Sequence, residues 1–332
     1  MMDKRHILVT GGAGFIGSHL CESLLKKGAW VVSADNFNDF YNPSLKRDNI
    51  RQVEKTAEKY RENGCRFTSF QADIRDKAHI SEIFSSQPID AVVHIAAYAG
   101  VRPSIESPSL YFDVNINGTL NILECMRHSG IKAMVFASSS SVYGNNKKVP
   151  FSEDDPVDNP ISPYAATKKA GELLCHTYHH LYKMSIACLR FFTVYGPRQR
   201  PDLAIRKFTE CIGKGREIPI YGDGTTRRDY THITDIIDGV TSALRWSIAA
   251  SHGYEIFNLG GTETVSLSEM VETIENALGK KAVRRVLPEQ PGDVMQTNAD
   301  LSKVRRALGY SPKVRFKDGI ADFISWYNDT CF

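Results

Sequence analysis

Long apolar stretches are missing from this sequence. No run in its 332 residues reaches the roughly 18 apolar residues that a membrane-spanning helix needs. The apolar segment at residues 7–10 is also too short for the core of a signal peptide. We therefore predict a cytoplasmic protein that does not associate with a membrane.

A marked excess of charge of either sign is missing as well. The sequence has 41 basic and 38 acidic side chains and a net charge of +3, and its adjacent basic residues form short, scattered pairs. A surface this close to neutral cannot attract nucleic acid through a general positive field. We expect no nucleic-acid partner, and an anionic ligand must be held by locally placed groups.

Closely spaced cysteines are also missing. The seven cysteines are odd in number and far apart, and no C-x-x-C pair occurs among them. This spacing indicates neither a zinc cage nor a redox dithiol, so we predict no metal site. Cysteines of this kind are typical of small buried apolar positions in proteins of a reducing compartment.

The first half of the sequence contains a regular alternation of apolar segments and helical patterns. The apolar segments predict strands at residues 7–9, 31–34, 67–70, 91–95, 133–137 and 186–192. Helical patterns lie between them, at residues 18–27, 78–85, 110–129 and 165–182. The alternation predicts an α/β fold of the Rossmann type, a doubly wound parallel sheet with helices on both faces.

The alternation breaks near residue 195. Glycine-rich turns and shorter helical patterns, at residues 203–214, 266–278 and 301–308, indicate a smaller α+β domain. We therefore predict a Rossmann domain at residues 1–190 and a domain that mainly binds the substrate at residues 191–332. Some segments of the second domain are expected to pack back on the first.

A glycine-rich segment at residues 10–17 follows the first predicted strand and precedes the first helix. Gly11 allows a tight turn, Gly14 lets the backbone approach a diphosphate, and Gly17 lets helix and strand pack closely. The N-terminus of the helix adds N–H donors for phosphates. Asp35 ends the second strand, where it can accept hydrogen bonds from a ribose and repel a 2′-phosphate. The pattern predicts a site for NAD rather than NADP.

Tyr164 and Lys168 are four residues apart on a predicted helix, so their side chains share one helix face. A tyrosine with the ordinary pKa of about 10 is a poor base, and a Lys168 cation with a positive nicotinamide ring would lower that pKa. Hydroxyls at residues 138–141 follow a predicted parallel strand at its carboxyl end, where such sheets bind ligands. These features indicate hydride transfer at a sugar or alcohol carbon. A solvated surface pair is the alternative for Tyr164 and Lys168.

Together these motifs resemble the extended short-chain dehydrogenase/reductase family, in its group of NAD-dependent nucleotide-sugar epimerases and dehydratases. The resemblance spans nearly the whole chain and rests on T-G-x-x-G-x-x-G at residues 10–17, Asp73-Ile74, His94-Ile95-Ala96-Ala97, Asn115-Ile116-Asn117-Gly118-Thr119, Ser139, Tyr164 with Lys168, and Arg228-Asp229-Tyr230.

The resemblance implies a role for each matching residue. Ser139 would donate a hydrogen bond to the sugar O4, Tyr164 would be the base, and Lys168 would bind the nicotinamide ribose. The cofactor would be held by Gly11, Gly14, Phe15, Ile16, Gly17, Asp35, Asn36, Asp73, Ile74, Ala96, Ala97, Asn115, Tyr164 and Lys168. A UDP-sugar would be bound by Arg102, Ser139, Ser140, Ser141, Tyr164, Thr193, Arg200, Pro219, Tyr221, Arg228 and Asp293.

Three details narrow the reaction within the family. Related dehydratases and decarboxylases place an acidic residue shortly after the position of Ser139, where this chain has Ser140 and Ser141. Thr193 and the A-G-V-R motif that ends at Arg102 resemble the corresponding residues of UDP-glucuronate 4-epimerases. UDP-glucose 4-epimerases usually carry Asn at the position of Thr193. Arg102 or Arg200 would bind the C6 carboxylate of the sugar or, alternatively, the diphosphate.

The resulting hypothesis is reversible C4 epimerisation of UDP-glucuronate to UDP-galacturonate through a 4-keto intermediate, with bound NAD recycled. A UDP-glucose or UDP-N-acetylglucosamine 4-epimerase is the alternative, followed by a UDP-glucuronate decarboxylase and a non-catalytic NAD-binding sensor. The helical patterns at residues 110–129 and 165–182 would form the interface of a family-like homodimer, or else the core-facing helices of a monomer.

Overall fold

Six parallel strands from the first part of the chain form most of the central sheet. The computed structural model describes residues 4–250, 252–288 and 294–331. The six strands are β1 (His6–Thr10), β2 (Trp30–Asp35), β3 (Arg66–Gln71), β4 (Ala91–His94), β5 (Ala133–Ser139) and β6 (Ser185–Phe191). Every position of β4, β5 and β6 is buried, as expected for strands covered on both faces. The predicted positions of all six strands are confirmed.

The second part of the chain adds strands to the central sheet and to two small sheets. They are β7 (Thr193–Tyr195), β8 (Glu217–Tyr221), β9 (Arg227–His232), β10 (Gly253–Leu259), β11 (Thr264–Ser266) and β12 (Val283–Leu287). β10 pairs in parallel with β6, which gives the large sheet the order β10-β6-β5-β4-β1-β2-β3. β7, β9 and β11 form one small sheet, and β8 pairs with β12 in the other. The predicted fold class is confirmed.

Helices cover both faces of the large sheet. The α-helices of the described residues are, in chain order, α1 (Phe15–Lys26), α2 (Pro43–Lys59), α3 (Lys77–Ser86), α4 (Val101–Glu106), α5 (Pro108–Phe112), α6 (Gly118–His128), α7 (Pro163–Tyr182), α8 (Ala204–Gly213), α9 (Ile233–Ala249), α10 (Leu267–Leu278), α11 (Ser302–Leu308) and α12 (Phe316–Cys331). Buried apolar residues of α1, α2, α9 and α11 pack on one face, and those of α3, α6 and α7 on the other. Within the described residues, no helix has both the length and the apolar character needed to cross a membrane.

A separate apolar core lies beside the small sheets. Buried residues of α8, α10 and α12, among them Phe208, Ile274 and Phe323, pack there against β8 and β9. In contrast, α9, β10 and α11 belong to the core of the large sheet although they follow residue 190 in the chain. The division of the chain at residue 190 itself stays a prediction.

Two local features differ from the sequence prediction. The single helix predicted at residues 110–129 is wrong in detail, because a π-helical turn at Asp113–Asn117 separates α5 from α6. The wider turn lets the Asn115 side chain hydrogen-bond the backbone of Tyr98. α2 was not predicted because it is mostly polar. Its start nevertheless carries two typical helix-start residues, Pro43 and Asn42, whose side chain accepts a hydrogen bond from Ser44 N.

The strand order reverses between β1 and β4, and this reversal determines where a ligand can bind. The chain winds from β1 to β3 on one side and from β4 to β6 on the other, which leaves a crevice outside the carboxyl ends of the strands. Thr10, Asp35, His94 and Ser139 are the last residues of β1, β2, β4 and β5. The fold therefore brings the predicted motifs to one edge of the sheet.

Candidate active site

A cavity of about 330 Å³ lies in this crevice. It brings together most of the predicted cofactor and catalytic residues, namely Gly11, Gly14, Phe15, Ile16, Gly17, Asp35, Asn36, Ile74, Ala96, Ala97, Ser139, Tyr164 and Lys168. Thr193 and Arg200, which were predicted to bind substrate, line it as well. We call it the first cavity.

Glycine is required at two points of the loop between β1 and α1. Gly11 has a φ of +73°, and a Cβ there would lie 2.9 Å from the backbone nitrogen of Ala96. A Cβ on Gly17 would overlap the carbonyl oxygen of Gly11. α1 begins after Gly14, which provides no side-chain cap for the first N–H groups of the helix. The loop thus combines close backbone approach with N–H donors, which fits a dinucleotide diphosphate.

Asp35 is buried where β2 ends. Its carboxylate accepts hydrogen bonds from the backbone N–H groups of Phe37, at 2.9 Å, and Ala13, at 3.1 Å. Burial raises the pKa of Asp35, and these hydrogen bonds and the positive charge of Lys46 act in the opposite direction. Lys46 also lines the first cavity and donates to the backbone and side-chain oxygens of Asn38, each at 2.9 Å. Lys46 was missed by the sequence analysis.

Asn36 and Asp73 meet beside the same end of the cavity. Asn36 Nδ2 donates to Asp73 Oδ2 at 2.9 Å. The Arg75 side chain donates to both carboxylate oxygens of Asp73 and lowers the pKa of that group to about 2. Asp73 therefore supports Asn36 from outside the described cavity lining, whereas its neighbour Ile74 lies in that lining.

Asn115 and His94 are outside the described lining of the first cavity and hydrogen-bond the residues next to it. Asn115 accepts a hydrogen bond from Tyr98 N at 2.8 Å and donates to Tyr98 O and to Thr167 Oγ1, each at 3.0 Å. His94 lies between Thr10 Oγ1, at 2.6 Å, and Thr119 Oγ1, at 3.0 Å. Burial lowers the pKa of His94 to about 3, so the ring is neutral. These contacts fix the segment after β4 against α7.

Tyr164 and Lys168 project from the start of α7. Ser162 Oγ caps this helix by accepting a hydrogen bond from Ala165 N at 3.1 Å, and Pro163 is its first residue. Lys168 is 5% exposed, and its Nζ donates to Ala137 O on β5 at 2.7 Å and lies 6.0 Å from the centre of the Tyr164 ring. The alternative of a solvated surface pair is therefore wrong, because Lys168 is buried and both side chains line the cavity.

The pKa of Tyr164 depends on burial and on two neighbours. Burial raises this pKa above its ordinary value of 10.0, and a hydrogen bond with Ser139 and the positive charge of Arg200 act in the opposite direction. The sequence analysis gave the role of the nearby cation to Lys168. In the structure, burial lowers the pKa of Lys168 itself to about 8, and Arg200 is a further cation whose charge lowers the pKa of Tyr164. The influence of Lys168 on Tyr164 stays a prediction.

A second cavity, of about 320 Å³, adjoins the first, since Gly100 and Thr193 line both. The predicted substrate residues that line it are Arg102, Ser140, Ser141, Thr193 and Arg228. Phe151 and Thr297 are also part of this lining but carried no recognisable sequence signal. The second cavity thus presents hydroxyl and guanidinium groups next to the tyrosine of the first.

Arg200 lies apart from the other two predicted arginines. Its Nε and Nη2 donate to the two carboxylate oxygens of Asp202 at 3.0 and 2.7 Å. Its guanidinium lies over the Phe40 ring, 5.2 Å from the ring centre. Arg200 therefore belongs to the first cavity, whereas Arg102 and Arg228 belong to the second.

Three predicted substrate residues are not in either described lining. Pro219 and Tyr221 lie on β8, and the guanidinium of Arg102 is 5.2 Å from the centre of the Tyr221 ring. Asp293 lies outside the residues that the structure describes. Roles for these three residues stay predictions.

The parallel sheet, the glycine loop and the Tyr164–Lys168 pair define a Rossmann-type enzyme of the short-chain dehydrogenase/reductase class. The chain belongs to the family described as GDP-mannose 4,6 dehydratase, whose family model it matches over residues 8–323. It is also 44% identical over 322 residues to a UDP-glucuronate 4-epimerase of Thermodesulfobacterium geofontis, which covers 97% of this chain and 95% of that protein. The family resemblance of the motifs is thereby confirmed.

Two solved structures are similar over the full chain. One is a UDP-glucuronic acid 4-epimerase from Bacillus cereus in complex with UDP-glucuronic acid and NAD, with a TM-score of 0.88, 38% identity and coverage of 98% of this chain and 99% of that one. The other is a UDP-glucose 4-epimerase from Thermotoga maritima with UDP-glucose, with a TM-score of 0.86, 29% identity and coverage of 98% and 100%. Both substrate classes therefore occur on this fold.

We expect Asp35→Ser to weaken NAD binding and to reduce the preference for NAD over NADP. Loss of a charged acceptor for ribose hydroxyls costs roughly 1.5–3 kcal/mol, or about 10- to 100-fold in Kd. Binding of NADP should weaken less than binding of NAD, because the variant removes a negative charge beside the 2′-phosphate and keeps the positive charge of Lys46. Titration with each dinucleotide, followed by protein fluorescence, would give the ratio of the Kd for NADP to the Kd for NAD. Asp39→Ser, at an exposed position in the same loop, is the matched control. An unchanged ratio in Asp35→Ser would contradict the assignment.

Proposed function

We propose that this protein catalyses the reversible C4 epimerisation of UDP-glucuronate to UDP-galacturonate while keeping NAD bound. The observation that carries the proposal is that Tyr164, Ser139 and Lys168 line the first cavity with Thr193, which also lines the second cavity. Relatives support the choice of substrate, since UDP-glucuronate 4-epimerases of Thermodesulfobacterium geofontis and Arabidopsis thaliana match over 97% of this chain.

The residues of the first cavity fit NAD. The loop at residues 11–17 and the first turn of α1 would hold the diphosphate, and Asp35 would hold the adenosine ribose. Lys168 would hydrogen-bond the nicotinamide ribose. Bound NAD would supply a reversible hydride acceptor, so none is consumed. The 4-keto sugar would turn over about its diphosphate between the two hydride transfers, which inverts C4.

Tyr164 would act as the base of the reaction. As its phenolate, it would remove the O4 proton while C4 is oxidised and return that proton when C4 is reduced. Ser139 would donate a hydrogen bond to O4 as the carbonyl forms. The positive charge of Arg200 favours the phenolate, since it lowers the pKa that burial raises.

The second cavity would hold the rest of the substrate. Arg102 and Arg228 offer two positive charges to the diphosphate, as guanidinium groups pair well with phosphate. Ser140, Ser141 and Thr193 would hydrogen-bond the C6 carboxylate, and Arg200, which lines the first cavity, would offer it a positive charge. Pro219, Tyr221 and Asp293 would contact the uridine.

Restraint of the C6 carboxylate has a chemical purpose. The 4-keto intermediate is a β-keto acid, and such acids lose CO₂ readily when the C5–C6 bond aligns with the carbonyl π system. An epimerase must hold the carboxylate out of that alignment. We assign this restraint to Thr193, Ser140, Ser141 and Arg200.

The substrate proposal predicts activity on UDP-glucuronate and dependence on the Tyr164 hydroxyl. Removal of a general base typically costs about 10²–10⁴-fold in rate, so Tyr164→Phe should lose activity by that order while it still binds NAD. Product analysis of UDP-glucuronate, UDP-glucose and UDP-N-acetylglucosamine reactions tests both points. Faster epimerisation of either neutral sugar would contradict the choice of substrate, and CO₂ as the main product would indicate a decarboxylase.

The restraint of the carboxylate predicts that Thr193→Ala releases more CO₂ and forms more UDP-pentose from UDP-glucuronate. The ratio of UDP-pentose to UDP-galacturonate should rise, whereas Thr193→Ser, which keeps the hydroxyl, should remain close to the parent protein. NAD binding serves as the control for the integrity of the site. Unchanged product ratios in Thr193→Ala would refute the role.

We also propose that the protein is a homodimer that associates through α5, α6 and α7. Large apolar side chains are exposed on these mutually packed helices: Phe112 is 45%, Leu120 36%, Leu173 56% and Leu181 58% exposed. Burial of apolar area of this kind drives association. Light scattering of the parent protein should give the mass of two chains, and Leu173→Glu should reduce it to the mass of one chain. The control Val286→Glu, at a position on β12 that is 73% exposed, should leave the mass unchanged. A parent protein with the mass of one chain would contradict the proposal.

We further propose that the enzyme works in the cytoplasm. The six cysteines whose side chains the structure describes are all free, and five of them are buried. Reduced thiols of this kind fit a reducing compartment.

A further inference from the structure

The loop at residues 196–203, which joins β7 to α8, has an unusual backbone. Gly196 has a φ of +131°, and Arg198 has a φ of +63°, in the left-handed region that favours glycine. A long side chain adopts this conformation when surrounding contacts hold it there. The contacts of Arg198 therefore explain how this loop keeps its shape.

Arg198 ties the loop to α1. Its Nη2 donates to Glu22 Oε1 at 2.6 Å, and its Nη1 donates to Ser18 Oγ at 3.2 Å. The two charged side chains are 16% and 12% exposed, so water screens the pair only in part. α1 is the helix whose first turn would bind the cofactor diphosphate.

A neutral histidine adds a second tie between the same elements. His19 Nε2 lies 3.0 Å from the carbonyl oxygen of Pro197. Burial, together with the charge of Arg198, lowers the pKa of His19 to about 3, so the ring carries one proton. Because a carbonyl oxygen can only accept, that proton is on Nε2.

The other end of the loop lies over the first cavity. Arg200 and Leu203 line that cavity, and the Arg200 guanidinium lies over the ring of Phe40, which follows β2. Phe40 in turn contacts Tyr98, with the ring centres 5.6 Å apart. The loop therefore connects α1 with residues of the cofactor cavity that follow β2 and β4.

We propose that Glu22 and Arg198 are positioning residues that hold the 196–203 loop over bound NAD and so slow its release. The inference rests on the proposed function, which requires the same cofactor molecule to return the hydride it has taken. Loss of reduced cofactor before that return would leave an oxidised sugar and an enzyme unable to complete the turnover. The ion pair acts on the cofactor through the loop.

The release rate of NADH tests this role without any UDP-sugar. Protein loaded with NADH is mixed with excess NAD, and the decay of NADH fluorescence gives the dissociation rate. Loss of a charge-assisted, partly buried hydrogen bond of about 1.4 kcal/mol corresponds to a tenfold change, so Glu22→Gln and Arg198→Asn should each release NADH about tenfold faster. Asn tolerates the left-handed conformation, so Arg198→Asn removes the guanidinium without adding backbone strain.

Matched variants separate the pair from general effects. Glu54→Gln makes the same change on the exposed surface of α2 and should leave NADH release unchanged. Arg198→Lys keeps the positive charge and should restore slow release in part. The double variant Glu22→Gln, Arg198→Asn should release NADH no faster than either single variant, because the two residues act as one unit.

Two results would overturn the proposal. One is NADH release at the parent rate in Glu22→Gln and Arg198→Asn. If only the melting temperature of these variants falls, the two residues stabilise the fold and do not retain the cofactor. The other is equal acceleration by Glu54→Gln. If the parent protein retains NADH and the variants release it faster, but no UDP-glucuronate is epimerised, the proposed substrate fails and the role of Glu22 and Arg198 stands.

Discussion

The buried ion pair between Glu172 and Arg190 is the interaction on which the geometry of the site depends. Both side chains are 1% exposed, and Arg190 Nε and Nη2 donate to the two carboxylate oxygens at 2.8 and 2.9 Å. Ser138 Oγ donates to the same carboxylate at 2.7 Å. Loss of one partner of such a pair costs about 3–5 kcal/mol, because the other charge stays buried and uncompensated. The pair thus holds α7 against β5 and β6.

The residues of this pair and Ser138 lie close in the chain to residues that the proposed chemistry uses. Glu172 lies one helical turn after Lys168 on α7, and Ser138 immediately precedes Ser139. Arg190 is near the end of β6, shortly before Thr193, and its guanidinium lies 4.8 Å from the centre of the Tyr143 ring. Side chains in a close-packed interior have little freedom to adjust, so one buried pair fixes the ends of β5 and β6 relative to α7.

The parts of the site that follow strand ends could be predicted from the sequence. The carboxyl ends of parallel strands meet at one edge, so Asp35 and Ser139 had to share a crevice once the alternation of elements was recognised. Residues that long connections bring to the site could not be predicted in this way. Lys46 reaches the cavity from a polar helix, and Arg200 from a loop whose shape depends on contacts with α1. The helix spacing therefore points to Lys168 as a cation near Tyr164, and tertiary packing adds Arg200, whose effect on Tyr164 the spacing could not reveal.

The distribution of acidic groups around the two cavities favours chemistry at C4. The described lining of the second cavity contains hydroxyl and guanidinium groups and no carboxylate. Asp202, close to the first cavity, has both oxygens engaged by Arg200, and Asp35 accepts two backbone N–H groups at the end of β2. Removal of a proton from C5 would need a carboxylate or similar base near the sugar ring. Since Tyr164 and Ser139 line the first cavity and Thr193 lines both cavities, the proposed base and hydrogen-bond donors suit a site that moves a hydride and a proton at C4. A net charge of +3 over 332 residues leaves recognition of an anionic substrate to these locally placed arginines.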